Sequence, residues 1–461
     1  MAIGRKTHPI DGQPNSSLAI ASLFPINHET VAVGLTPLLT RLFNTGPPVQ
    51  FVFWDGSSTE ATSSPGMIVF RSPRALTRLI WAPNELGVTR GFISGDIDID
   101  GDIVPILRAL HDWMSHVRQF ELRCLVSELR TAIRLGVIGR PPTPPVEEIK
   151  LTGRRHSKLR DAAAIKHHYD ISNDFYRLVL GPSMTYSCAR FERENITLEE
   201  AQRSKHDLVC RKLGLHERPN TRLLDVGCGW GSMALHAATS YGARVVAITL
   251  SPSQAEKAKE RIASVGLGHQ VEVRLQDYRD LSGETFDAIS SIGMFEHVGS
   301  NRMDEYFNLL FGALAPKGRL LNHAISTPRG SKLHGRTFMN RYVFPDGELV
   351  DVADVVRAME RAGFEVRDVE SLREHYNETL HAWVDNLENS WGEAVELAGE
   401  GRARTWRIYI AASANGFSEG GLALHQVLAA VPTEEGASGM ARTRDSWSRP
   451  QDKPFRGERW Q

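Results

Sequence analysis

The stretch Leu223-Leu224-Asp225-Val226-Gly227-Cys228-Gly229-Trp230-Gly231 constrains this chain more than any other. Its apolar run reads as a buried strand, and three alternating glycines break the run before a helical pattern begins. Glycine has no Cβ, so such a turn lets bare backbone approach a ligand. The alternation continues downstream. Apolar runs at Arg222–Asp225, Arg244–Ile248, Val271–Leu275, Phe286–Ile292 and Arg319–Ile325 are separated by helical stretches at Met233–Tyr241, Ser253–Val265 and Met303–Leu314. Pro252-Ser253 is a helix start, and Gly266 suits that helix's end. This pattern predicts an α/β fold, a parallel sheet covered on both faces that binds ligands beyond the carboxyl ends of its strands. A dinucleotide site would want GxGxxG and an acidic residue about 20 positions on. Here the glycines fall at 227, 229 and 231, and the second strand leads into Thr249.

At 461 residues the chain is too long for one ordinary domain. Lys plus Arg (54) nearly balance Asp plus Glu (55), which excludes a global basic field for nucleic acid. Cys124, Cys188, Cys210 and Cys228 form no CxxC pair, so the reading is a reducing compartment and no metal site. The N-terminus lacks the apolar stretch of a signal peptide, and no charge-free run is long enough to span a bilayer. The expected location is cytoplasmic, with any membrane contact peripheral.

Composition divides the chain further. Residues 1–19 read as a flexible N-terminus and 20–136 as a smaller α+β domain, with strands near Val49–Trp54 and Met67–Phe70 and helix from Ile103. Residues 137–160, with four prolines and then a basic run, read as a linker. The α/β domain occupies 161–431, and 432–461 reads as a disordered tail.

The glycine turn resembles the E/DxGxGxG motif of S-adenosylmethionine-dependent methyltransferases. Five further segments, in order, resemble the cyclopropane-fatty-acyl-phospholipid synthase and mycolic acid methyltransferase family. They are His167–Tyr176, Met184–Cys188, Thr249-Leu250-Ser251 with Gln254, Leu275–Asp280 and Gly293–Gly299. Ile93–Asp102 more loosely resembles the N-terminal domain of the long, phospholipid-acting members. The resemblance implies a Rossmann-like class I methyltransferase domain with a seven-stranded, mostly parallel sheet. It implies methyl or methylene transfer to the cis double bond of an unsaturated phospholipid acyl chain, giving a cyclopropane. By the same mapping, Tyr186 and Ser187 meet the methionine end of S-adenosylmethionine, with Asp225, Gly227, Gly229 and Gly231 beneath it. Thr249, Leu250 and Gln254 lie toward the ribose, Asp277 and Tyr278 toward the adenine. A bicarbonate ion serves as the base, held by Cys188, Glu296, His323, Ile325 through its backbone, and Tyr376. Glu296 beside an anion must donate, so its pKa should be raised.

Blander roles stand beside these. Cys188 suits a core, Glu296 a helix dipole, and His323 a satisfied interior. His167, His168 and His297 read as structural. Ser413 stands where many relatives carry cysteine. Two other functions remain open: a methylene- or methyl-branched (tuberculostearate-type) product from the same carbocation, and a non-catalytic lipid-binding protein. A methylene product would need a separate reductase, because the chain shows no NAD or flavin motif. The 20–136 domain is the candidate for lipid contact and for homodimerisation.

Overall fold

The computed structural model describes residues 30–43, 46–61, 65–115, 132–149, 160, 171–218, 220–281, 283–328 and 337–448. Two sheets organise them. The first joins β1 (Gln50–Val52), β2 (Gly66–Phe70) and β3 (Ile97–Gly101). Here β1 runs parallel to β2, and β3 is antiparallel to it. The second sheet contains β4 (Arg222–Val226), β5 (Arg244–Thr249), β6 (Val271–Leu275), β7 (Phe286–Ile292), β8 (Leu314–Ser326), β9 (Glu365–Ser371) and β10 (Ala423–Ala430). Its order is β6-β5-β4-β7-β8-β10-β9. The five strands from β6 to β8 are parallel, and β10 is antiparallel to both of its neighbours.

Local chemistry explains the covering helices. Thr197 and Glu200 close a reciprocal capping box on the helix Leu198–Lys212. Ser251 caps Pro252–Ser264, and proline at its first turn gives up a donor that the helix leaves unused anyway. Apolar clusters fill both faces of the sheet, one around Leu224, Ile289 and Phe307, the other around Leu223, Ala247 and Leu321. Adjacent residues of one strand thus enter opposite cores, as the period of two requires.

The N-terminal block shares its core with the helices Arg373–Asn389 and Glu400–Ser418. Arg404 reaches Asp98 at 3.1 Å, and Asn415 Nδ2 donates to the Val104 carbonyl at 2.9 Å. Residues 137–149, read from sequence as linker, are docked rather than loose. Glu148 is buried against Arg90, Arg341 and Tyr342, and the Ile149 N–H donates to the Arg341 carbonyl at 2.7 Å. The expected disordered tail is also corrected as far as Ser448. Trp447 is buried, its carbonyl accepts from Arg211, and Arg444 pairs with Asp368 at 2.7 Å. Arginine partners supply what the tail's weak apolar periodicity hid. Residues 1–19, Cys124, 150–159, His167, His168 and 449–461, for which the sequence raised expectations, lie outside the described residues.

Candidate active site

A cleft opens at the carboxyl ends of β4, β5 and β7. The Gly227 and Cys228 N–H groups both donate to the Ile248 carbonyl, at 3.0 and 2.9 Å, pinning the turn after β4 to β5. Gly229 has φ +54°, and a Cβ built on it meets nothing within 4 Å, so its missing side chain is open space in the cleft wall. Gly227, at φ +76°, instead faces Met294, which an added Cβ would approach to 2.9 Å. Gly231 departs from its expected cofactor role. It is not on the cleft wall, and an added Cβ would meet that of Ala258 at 3.2 Å, so it lets Ser232–Tyr241 pack against Pro252–Ser264.

The other wall residues are braced by one another. Thr249 Oγ1 donates to Gln254 Oε1 at 2.9 Å and accepts from the Ser251 N–H at 3.2 Å. Leu250 and Tyr278 line the same side. Asp277 does not. Both its oxygens are engaged by Arg279, at 2.8 and 2.5 Å, and it caps the short turn Tyr278–Asp280. Gln276 takes the place on the wall that the sequence reading gave to Asp277.

Tyr186, Ser187 and Asp225 share the cleft lining with a residue that no motif singles out. Lys205, on the helix Leu198–Lys212, is fully buried, and its Nζ donates to Ser187 Oγ at 2.9 Å. Burial lowers its pKa to about 7. Asp225 accepts from Ser290 at 2.7 Å through Oδ1, while its buried Oδ2 has no partner. Burial raises this carboxyl, and Lys205 draws it partly back. Gln202, one turn earlier, donates to the Ser187 carbonyl at 2.8 Å. Both residues sit in a helix whose composition reads as solvent-facing, so only its burial reveals them. The open space at Gly229 and the orphaned Asp225 oxygen together suit a small ligand with a cationic end.

The five residues mapped to the base lie off this cleft; Glu296 touches Ile325 directly, and the others connect through intervening residues. Glu296 stands in the turn Phe295–His297 after β7, and its Oε1 accepts from the Ile325 N–H at 2.8 Å. His323, two residues earlier on β8, shares a face of the strand with Ile325. Its Nδ1 lies 3.2 Å from Gln426 Nε2 on β10. Leu424 stands opposite Ile325, and its carbonyl accepts from the Leu372 N–H at 2.9 Å. The Leu372 carbonyl in turn accepts from the Cys188 thiol at 3.6 Å and the Tyr376 N–H at 3.1 Å. Burial pushes Glu296 up to about 7 and holds His323 well below its ordinary value, so that imidazole is neutral. Glu296 Oε2 and His323 Nε2 are buried without a hydrogen-bond partner.

Aromatic rings lead inward from the cleft wall at Tyr186. Tyr186 packs 5.5 Å from both Trp383 and Trp406, and its hydroxyl donates to that of Tyr409 at 2.9 Å. Burial raises the Tyr409 pKa, and the charge of Glu296 adds to it. On its other side Tyr409 lines a second cavity with Trp406, Tyr342, Val343, Glu147 and Arg402. Ser413 is buried on the same helix as Tyr409.

Comparison with known proteins bears on this arrangement. The sequence profile described as mycolic acid cyclopropane synthetase matches residues 156–427. A probable fatty acid methyltransferase of Mycobacterium tuberculosis is 41% identical over 394 residues, covering 83% of this chain and 91% of that protein. The cyclopropane-fatty-acyl-phospholipid synthase of Escherichia coli K12 is 35% identical over 308 residues, covering 66% and 78%. The solved cyclopropane synthase MmaA2 from Mycobacterium tuberculosis superposes with a TM-score of 0.55 at 34% identity, covering 59% of this chain and 98% of that one. A mycolic acid cyclopropane synthase complexed with SAH and CTAB gives 0.55 at 36%, covering 58% and 97%. With its class I sheet and this cleft, the chain belongs to the mycolic acid cyclopropane synthetase family, whose members are S-adenosylmethionine-dependent methyltransferases acting on lipids.

Proposed function

We propose that this enzyme acts on the cis double bond of an unsaturated acyl chain in a phospholipid and makes a cyclopropane, working as a peripheral protein at the cytoplasmic face of a membrane. The observation that carries the reading is two buried polar atoms without partners beyond the carboxyl end of β7 and on β8, Glu296 Oε2 and His323 Nε2, with Glu296 Oε1 held by the Ile325 N–H. S-adenosylmethionine, when bound, supplies an electrophilic methyl group. An alkene that takes it becomes a carbocation and must later lose a proton. Tyr186, Trp406 and Tyr409 offer π faces to such a charge, and the burial of Trp406 and Tyr409, with Tyr186 partly covered, keeps water from trapping it.

A bicarbonate ion would fit the orphaned Glu296 Oε2 and His323 Nε2. With its pKa raised to about 7, Glu296 can keep a proton on Oε2 and donate it to the anion, while Oε1 stays fixed by the Ile325 N–H. Cys188 and Tyr376 would close the same site from the other side of Leu372. Among the described residues no helix is long and apolar enough to cross a membrane, which suits an enzyme that reaches its lipid from one side.

A second reading gives a methylene- or methyl-branched chain, and two relatives described as probable fatty acid methyltransferases, 41% and 37% identical, favour it. Isotope-labelled cofactor and mass spectrometry of lipids from cells expressing the chain decide. A cyclopropane adds one CH₂ and removes the olefin signals, whereas a retained terminal alkene means the branched route. No labelled lipid at all would end both readings and leave a lipid-binding protein.

A further inference from the structure

His323 stands on β8 in surroundings that deny it a charge. Burial holds its pKa well below the ordinary value, and the ammonium groups of Lys205 and Lys212 push the same way. Both lysines belong to the helix Leu198–Lys212, as does His206, which burial also keeps neutral. The carboxylates nearest to Lys212, Asp368 and Glu370 of β9, are engaged by that lysine at 3.0 and 2.5 Å. A neutral imidazole carries one N–H and one lone pair. Which nitrogen holds the proton is set by the partner each one meets.

The partner on record is Gln426. β10 runs antiparallel to β8 with Gln426 directly opposite His323, so the two side chains leave the sheet on one face. Gln426 is fully buried, and its Nε2 stands 3.2 Å from His323 Nδ1. An amide nitrogen has hydrogens and no lone pair to offer, so at this contact it donates and Nδ1 accepts. The ring proton then sits on Nε2. That is the buried nitrogen without a hydrogen-bond partner, assigned above to the bicarbonate ion. An anion needs a donor at that point, because a lone pair there would repel it. The amide contact and the demand of the anion therefore select the same tautomer. A carboxylate at position 426 would instead draw the proton to Nδ1 and favour the imidazolium. The amide is not there for its own hydrogen bonding either. Gln426 Oε1 is buried without a partner, a cost that an apolar side chain would avoid.

We propose that Gln426 is a positioning residue for His323: its amide donates to Nδ1, holds the ring as the Nε2–H tautomer, and so aims a donor at the anion that takes the proton. The inference rests on the bicarbonate reading above but is read separately from it. The first measurement is nitrogen NMR of the whole protein carrying ¹⁵N-labelled histidine, with the His323 signals assigned by their loss in His323→Asn. Nδ1 should show the shift of an unprotonated ring nitrogen and Nε2 that of an N–H. The second uses Gln426→Met, which is close in size and has no donor. Its His323 signals should move toward a mixture of tautomers while SAH affinity stays normal. The bicarbonate concentration that gives half-maximal methyl transfer should rise by about tenfold or more, the order of one lost hydrogen bond to a charged acceptor. A merely structural glutamine would change stability and leave both the tautomer and the bicarbonate requirement where they were. A proton on Nδ1 in the intact protein overturns the proposal, whether or not the variant folds. A Gln426→Met enzyme with the normal bicarbonate requirement overturns it too. If bicarbonate does not raise methyl transfer by the intact protein in carbonate-free buffer, the bicarbonate reading fails, and the tautomer seen by NMR still decides the role of Gln426 toward the ring.

Discussion

The two halves of the active site are built by different means. The cleft above β4 and β5 is made from near neighbours in sequence, namely a glycine turn, a hydroxyl braced by an amide five residues on, and a helix start. The residues around Glu296 come from the turn after β7, from β8 and β10 and from a distant helix, and depend on strand register for their meeting. Local construction tolerates variation in its surroundings. A cluster built through register depends on every strand being in place, because a slip of one residue turns each side chain to the opposite face.

That contrast yields graded tests. The largest effect should come from Glu296→Gln, which keeps shape and removes the titrating carboxyl. Turnover should fall by at least about 10²-fold with SAH affinity unchanged, read by single-turnover methyl transfer and calorimetry. Near-normal turnover would remove the residue from the chemistry. The same variant has a stability signature. The native carboxyl holds its proton up to about pH 7, while the unfolded one loses it above about 4.5, so wild-type stability declines as pH rises across that window. The glutamine variant should lack this decline.

Lys205 should behave with the opposite sign. Its native amine is neutral above about pH 7, whereas the unfolded one stays charged to about 10.5. The unfolded state therefore binds more protons between those values, and stability rises with pH there. Lys205→Met should flatten that rise by at least about 2 kcal/mol in denaturant titrations at pH 7 and pH 10. A rise as steep as before would mean that the amine stays charged in the fold.

Smaller effects belong to the glycines. Gly229→Val places a branched side chain in open cleft space at φ +54°, so SAH should bind at least about tenfold more weakly by calorimetry. Gly231→Ala should instead cost about 1 kcal/mol of stability through the Ala258 contact and its own φ of +81°. If Gly231→Ala weakened SAH binding more than Gly229→Val does, the division between cleft wall and helix packing would be wrong.

The sequence carried the local half well. Strands β4 to β7 lie within a residue of their expected bounds, because each is an apolar run followed by a turn and a capped helix. Strands β9 and β10 escaped notice, since they depart from strand–helix alternation and pair antiparallel across a long helical excursion. The site followed the same line. Gly229, Thr249 and Gln254 stand on the cleft wall, whereas Asp277 is taken by Arg279 and Gly231 by Ala258, both matters of side-chain packing that spacing does not encode. Lys205 was invisible because a buried lysine is rare enough that a polar helix reads as a wet one.

The position of β10 bears on how the enzyme is born. It inserts between β8 and β9, so an interior place one strand from the sheet's edge is filled by the last of the described strands to leave the ribosome. Until that strand emerges, β8 has an unpaired edge, His323 lacks Gln426, and Leu372 lacks the carbonyl of Leu424. The nascent chain can form the glycine turn early, yet it must wait through the helices Val352–Arg361 to Glu400–Ser418 before the surroundings of His323 and Ile325 are complete. A half-made polypeptide with its glycine turn in place would still lack the partner strand of β8.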